Sequence, residues 1–186
     1  MKKFAAALCA GLLTVACGAP AARAQQPAGT PAPLTDDSLL AMLKNMGYAP
    51  RIEKTPKGSI YSLTIQRGTW TYYVDVSLSP SKTKLWLSGW LSALPRDEKV
   101  PAERLLALLE GSWTHGPAHF RYHRGFRQLN IGLCLDNRDI TPETLRTQLE
   151  SFMDTMKKSE ELWNVKKWKP GEPVSVGRPA GTDKGK

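Results

Sequence analysis

Cysteine is nearly missing from the part of the chain that could fold. Of three cysteines, Cys9 and Cys17 lie in the leading segment and Cys134 stands alone further on. A disulfide framework within the folded body is therefore excluded, and any fold must rely on its apolar core. Apolar runs are short as well: the stretch from Phe4 to Ala16 falls below the roughly 20 residues that a bilayer-spanning helix needs. No Walker-type or dinucleotide-type glycine pattern precedes a helix, and no Gly-x-Ser-x-Gly elbow occurs. The common phosphate cradles and the common serine nucleophile are thereby removed. No internal repeat is visible.

Acidic residues are outnumbered, with 17 Asp and Glu against 26 Lys and Arg and a net charge of +9 over 186 residues. The excess sits at the ends. Lys2, Lys3 and Arg23 fall in the leading segment, and Lys166, Lys167, Lys169, Arg178, Lys184 and Lys186 fall near the C-terminus beside Glu172 and Asp183. The central body is nearly balanced and lacks the electrostatic footprint of a duplex binder, so no nucleic-acid partner is expected.

The leading segment has the order of a secretory signal peptide. Met1-Lys2-Lys3 is a charged start, Phe4 to Ala16 is the apolar run, and Ala22-Arg23-Ala24 is a small-x-small cleavage site. Cleavage after Ala24 makes residues 1–24 a leader and implies export to the periplasm or beyond the cell. In a rival reading, Leu13-Thr14-Val15-Ala16-Cys17 is cut before Cys17 and lipidated there, although Thr14 stands where such sites usually place Leu. Residues 25–33, built from Pro, Ala, Gly and Gln, read as a flexible spacer. Residues 164–186 read as a disordered basic tail able to make weak, salt-sensitive contact with an anionic surface.

Between these ends, hydrophobic periodicity alternates between helix and strand. Thr35 can cap a helix whose apolar positions are Leu39, Leu40, Leu43 and Met46, with Gly47 as its stop. An additional short strand fits Arg51 to Thr55. A period of two then runs through Tyr61, Leu63 and Ile65, through Trp70, Tyr72, Val74, Val76 and Leu78, and through Leu85, Leu87 and Leu91. Pro101 suits the first turn of a second helix, to which Leu105, Leu106, Leu108, Leu109 and Trp113 give a broad apolar face. After Gly116-Pro117, Phe120 and Tyr122 share one strand face, and Leu129, Ile131, Leu133 and Leu135 form the clearest alternation in the chain. Thr141 and Pro142 open a last helix with Leu145, Leu149, Phe152, Met153 and Met156 as its stripe. The expected fold is α+β, a single twisted antiparallel sheet packed by helices in the order α-β-β-β-(β)-α-β-β-α.

That order, the segment Gln128 to Leu135, the run Ile140-Thr141-Pro142-Glu143 and the helix from Leu145 to Trp163 together resemble the YbjN family and its type III secretion chaperone fold. The Leu-rich helix ending in Trp113 is similar too, and the resemblance covers residues 34–163. It implies one sheet packed by helices, a common dimeric state, no enzymatic activity, and, in the chaperone branch, an apolar surface that holds an extended client segment. The leader departs from this pattern, since secretion chaperones act in the cytoplasm.

The sharpest polar pattern is His115, His119 and His123. Gly116-Pro117 separates the first from the others, and His119 and His123 on one strand lie about 13 Å apart at ~3.3 Å per residue, too far for one ion. They read as surface histidines, and neither metal nor cofactor is expected. Asp75 and Glu53 read as solvated carboxylates. Cys134 points away from the helices as a small filler or an intermolecular disulfide site.

If Leu85, Leu87 and Leu91 face the helices, Trp86 and Trp90 face the other way with Tyr73, His119, Arg121 and His123. Trp, Tyr and Arg are the residue types enriched at interface hot spots. Two readings of this face stand: a partner-binding interface, or indoles covered by the domain's own termini or by a second helix layer. The expectation is an exported, non-enzymatic domain that engages a protein or peptide partner in the cell envelope, and the resemblance implies that it is a homodimer. An envelope enzyme with an unrecognised site and a lipid-anchored structural module are its rivals.

Overall fold

A computed structural model describes residues 32–94 and 100–168. The leader with Cys17, the spacer as far as residue 31 and the tail beyond residue 168 lie outside the described residues.

Helix α1 (Asp36–Asn45) starts where Thr35 and Ser38 exchange hydrogen bonds, each hydroxyl accepting from the other's backbone N–H. This reciprocal box satisfies two otherwise orphaned donors. Gly47, at φ +91°, then turns the chain so that Tyr48 N–H returns to the Leu43 carbonyl. Four strands follow: β1 (Arg51–Thr55), β2 (Gly58–Arg67), β3 (Trp70–Leu78) and β4 (Lys84–Ala93). After helix α2 (Ala102–Thr114) come β5 (His119–His123) and β6 (Gln128–Asp136). Helix α3 (Pro142–Lys158), helix α4 (Glu160–Trp163) and a 3-10 turn (Val165–Lys167) complete the described chain.

The strands form one six-stranded antiparallel sheet in the order β1-β2-β3-β4-β6-β5. The first four make a meander, and the β5–β6 hairpin joins it through β6. The mixed fold expected from the periodicity is therefore the observed one, with the short strand at Arg51–Thr55 included.

Alternation places Tyr61, Leu63, Val74, Val76, Leu85, Leu87, Ile131 and Leu133 on one face. They share a buried cluster with Leu39 and Leu43 of α1 and with the whole α3 stripe. Each such side chain contributes roughly 1.5–3 kcal/mol on burial. Gly89 lies on the same face, where a Cβ would meet the Met156 sulfur at 2.8 Å, so its bareness lets α3 press close to β4. A second cluster forms at the end of the sheet from Leu94, Ala107, Leu108, Leu129 and Leu162.

Three local expectations change. The last helix does not run unbroken to Trp163, because buried Ser159 turns its hydroxyl back to the Thr155 carbonyl and ends α3. The break redirects α4 so that Leu162 enters the second cluster while the Trp163 indole donates to the Met156 carbonyl at 2.7 Å. Pro101 stands just before α2, in extended backbone, rather than inside its first turn. Residues 164–168, read as the start of the tail, are ordered: the Trp168 indole donates to the Leu162 carbonyl at 3.1 Å and lies over Arg104.

Asn137, 1% exposed, ties the segment before α1 to the β3–β4 turn and the end of β6. Its amide donates to the Leu34 and Lys82 carbonyls at 2.9 and 2.7 Å and accepts from Leu34 N–H at 3.2 Å. Its side chain thereby satisfies three backbone groups that would otherwise be buried without partners.

Candidate functional site

The outer sheet face carries the residues singled out in the sequence. Cross-strand pairing sets Ser62 beside Asp75, Asp75 beside Ser88, and Ser88 beside Gly132. Trp86 and Trp90 flank Ser88 on β4, and Gly132 faces His119 on β5. Trp86, Trp90, His119 and Arg121 are half-buried, Tyr73 is 55% exposed, and Cys134 is exposed on the same face.

Both indoles are held by neighbours. Trp90 donates to Asp75 at 2.5 Å, and the other Asp75 oxygen accepts from Ser62 at 2.6 Å. Asp75 is thus a structural acceptor and not the solvated carboxylate expected from the sequence, because the β3–β4 register brings an indole N–H within its reach. The Phe126 ring meets Trp90 edge-on at 6.3 Å and stacks on His123 at 4.7 Å. Trp86 meets His119 edge-on at 6.4 Å and lies under the Arg121 guanidinium, 5.8 Å from its centroid.

Arg121 reaches that position by crossing β6 at Gly132. A Cβ there would lie 2.4 Å from the guanidinium carbon. Arg121 Nη2 donates to Ser88 Oγ at 2.8 Å, whereas its Nε is buried with no hydrogen-bond partner among the described residues. Burial pushes the Arg121 guanidinium below its ordinary pKa. Burial first, and the Arg121 charge second, also hold the His119 imidazole below its usual value, against a backbone hydrogen bond with Pro117. A glycine interrupting the alternation of β6 was the sequence signal for this crossing.

The second surface is helix α2. The apolar face expected for it comprised Leu105, Leu106, Leu108, Leu109 and Trp113; of these the structure buries Leu108, together with Arg104, Ala107 and Gly111. Leu105 (41%), Leu106 (63%), Leu109 (67%) and Trp113 (87%) remain exposed. The reason is local. Gly111 admits the Leu162 methyl and the Phe120 ring, where a Cβ would lie 2.6 and 3.1 Å from them, so the helix turns that side inward. Beside the exposed stripe runs an open groove of about 580 Å³, lined in part by Leu105, Leu109, Phe120 and Tyr122.

Among the described residues no group of three or more His, Cys, Asp or Glu side chains could hold a metal, and no helix is long and apolar enough to cross a membrane. His115 ends α2, while His119 and His123 lie on β5.

No family model and no curated protein matches the chain. Solved structures are similar to it, two of them as follows. One is a chain of the HopA1–SchA chaperone–effector complex, at 12% identity and a TM-score of 0.46, covering 65% of this chain and 88% of that one. The other is a chain of the ExsC–ExsE complex, at 17% identity and a TM-score of 0.49, covering 69% of this chain and 92% of that one. Both scores lie below 0.5, so what this chain binds has to be read from its own surfaces.

Proposed function

We propose that the chain is an exported, non-enzymatic binding domain of the YbjN-like, secretion-chaperone-like class that works as a homodimer and engages a protein or peptide partner in the cell envelope. Trp86, Trp90, Tyr73, Arg121 and His119 form its partner-binding face. Export rests on the order Lys2-Lys3, apolar run and Ala22-Arg23-Ala24, with lipidation at Cys17 as the alternative end of the leader. Class membership rests on the element order, which is the order that carries the family resemblance.

The exposed stripe of α2 is the observation that carries the homodimer. Ala102, Leu106, Leu109 and Trp113 recur at helical spacing and all face solvent. Contiguous apolar surface of this kind marks an interaction site. Its ends differ in size, small at Ala102 and large at Trp113, which suits a second copy running antiparallel. In such a two-fold pair Leu106 meets the second copy's Leu109, and Trp113 covers the second copy's Ala102. Light scattering of the full chain is expected to give twice the 20.6 kDa chain mass. A monomer at all concentrations tested would overturn the pairing.

A further inference from the structure

We propose that Arg121 is the centre of a carboxylate receptor that reads an acidic residue in an extended segment of the partner, an inference that rests on the outer sheet face being the partner-binding face. A guanidinium has five donors. One bonds Ser88 Oγ, and the guanidinium carbon lies 5.8 Å from the Trp86 ring centroid, yet Nε is buried with no hydrogen-bond partner among the described residues. The neighbouring carboxylate, Asp75, is engaged by Ser62 and Trp90, and no ion pair joins Arg121 to an acid among the described residues. A half-buried cation in this state gains from an incoming anion, because its desolvation has already taken place.

The surroundings select a peptide over a free acid. The guanidinium sits at Ser88, midway along β4 between Trp86 and Trp90. In an extended segment, side chains on one face recur every second residue, about 6.6–6.8 Å apart. A segment lying along β4 therefore sets an acidic residue on Arg121 and an apolar residue, two positions to either side, on each indole. The pattern read is apolar-x-acidic-x-apolar.

The test is a titration of the isotopically labelled full chain, followed at the Trp86 and Trp90 indole N–H and the Arg121 Nε–H resonances. The probes are acetyl-Leu-Ser-Glu-Ser-Leu-amide, the same peptide with Gln at its centre, and sodium acetate. The Glu peptide is expected to shift all three resonances saturably, with the Gln peptide and acetate each about tenfold weaker or more. Arg121→Lys, which keeps the charge and loses the planar fork, is expected to weaken the Glu peptide about fivefold or more. Ser88→Ala removes the bond that orients the guanidinium and guards against a folding failure at position 121; it should weaken the peptide about twofold or more. Equal binding of the Gln peptide would sink the receptor while leaving the outer face as a binding surface. Acetate binding as well as the Glu peptide would sink peptide recognition. No indole shift with any probe would sink the receptor and the outer-face reading together.

Discussion

Trp113→Ser should dissociate the homodimer without unfolding its subunits. Trp113 stands in the last turn of α2 with 87% of its surface open, so its loss leaves both buried clusters intact. A tryptophan can bury about 150–250 Å², and pairing that covers half of it removes roughly 100 Å² of apolar surface from water. At ~25 cal/mol per Å² that is about 2.5 kcal/mol for each protomer. Two-fold symmetry doubles the loss to about 5 kcal/mol per dimer, more than three decades in the dimer constant at ~1.4 kcal/mol per decade. Sedimentation equilibrium at micromolar concentration should therefore find the variant at the single-chain mass, still unfolding in one cooperative transition at a temperature lowered by the loss of the mass-action stabilisation that pairing supplies. A dimer that persists in the variant would refute the role given to α2. So would a cooperative loss of folding, which would place Trp113 in the core.

Asn137→Ala leaves Leu34 N–H and the Leu34 and Lys82 carbonyls without their side-chain partner, and urea unfolding should show a loss of about 2–4 kcal/mol. Asn137→Asp keeps the acceptor but sets a charge against two carbonyls, so it should be no more stable than the alanine variant. Burial lowers the folded pKa of His115 and His119. The unfolded chain then binds more protons below the ordinary histidine value of about 6.5, so stability present above that value is lost as pH falls through it. Urea midpoints at pH 7.5 and 5.5 should show the drop, and His119→Gln should reduce it. Trp168→Ala removes the cover over Arg104 and the bond to the Leu162 carbonyl, and should cost about 1–2 kcal/mol by the same assay. An unchanged midpoint would mean that residues 164–168 behave as tail.

The sheet and its buried face were legible because alternation over β2, β3, β4 and β6 assigns Tyr61, Val74, Leu85 and Ile131 to one side without any knowledge of neighbours. The same alternation placed Trp86, Trp90, Tyr73, His119 and Arg121 together on the other side. It could not reveal how they are held. Asp75 meets Trp90, and Arg121 meets Ser88, only once the strand order β3-β4-β6-β5 is known. Helix α2 misled for a different reason. Leu105, Leu106, Leu108, Leu109 and Trp113 fall within about 160° of arc at ~100° per residue, so periodicity named that side as inward, whereas burial was decided by Gly111 admitting Leu162 and Phe120 on the other side. Ser159 carried no helix-ending signal comparable to a glycine or proline, and its effect comes from a hydroxyl competing for a backbone carbonyl.

The Asn137 tie joins residues 103 positions apart, and this has a kinetic consequence. A chain that emerges from a ribosome or a pore with its N-terminus first cannot secure Leu34 until β6 has followed. The meander can assemble from local pairings, but the first helix gains this anchor only after β6 has emerged, since distant contacts wait on closure of the intervening loop.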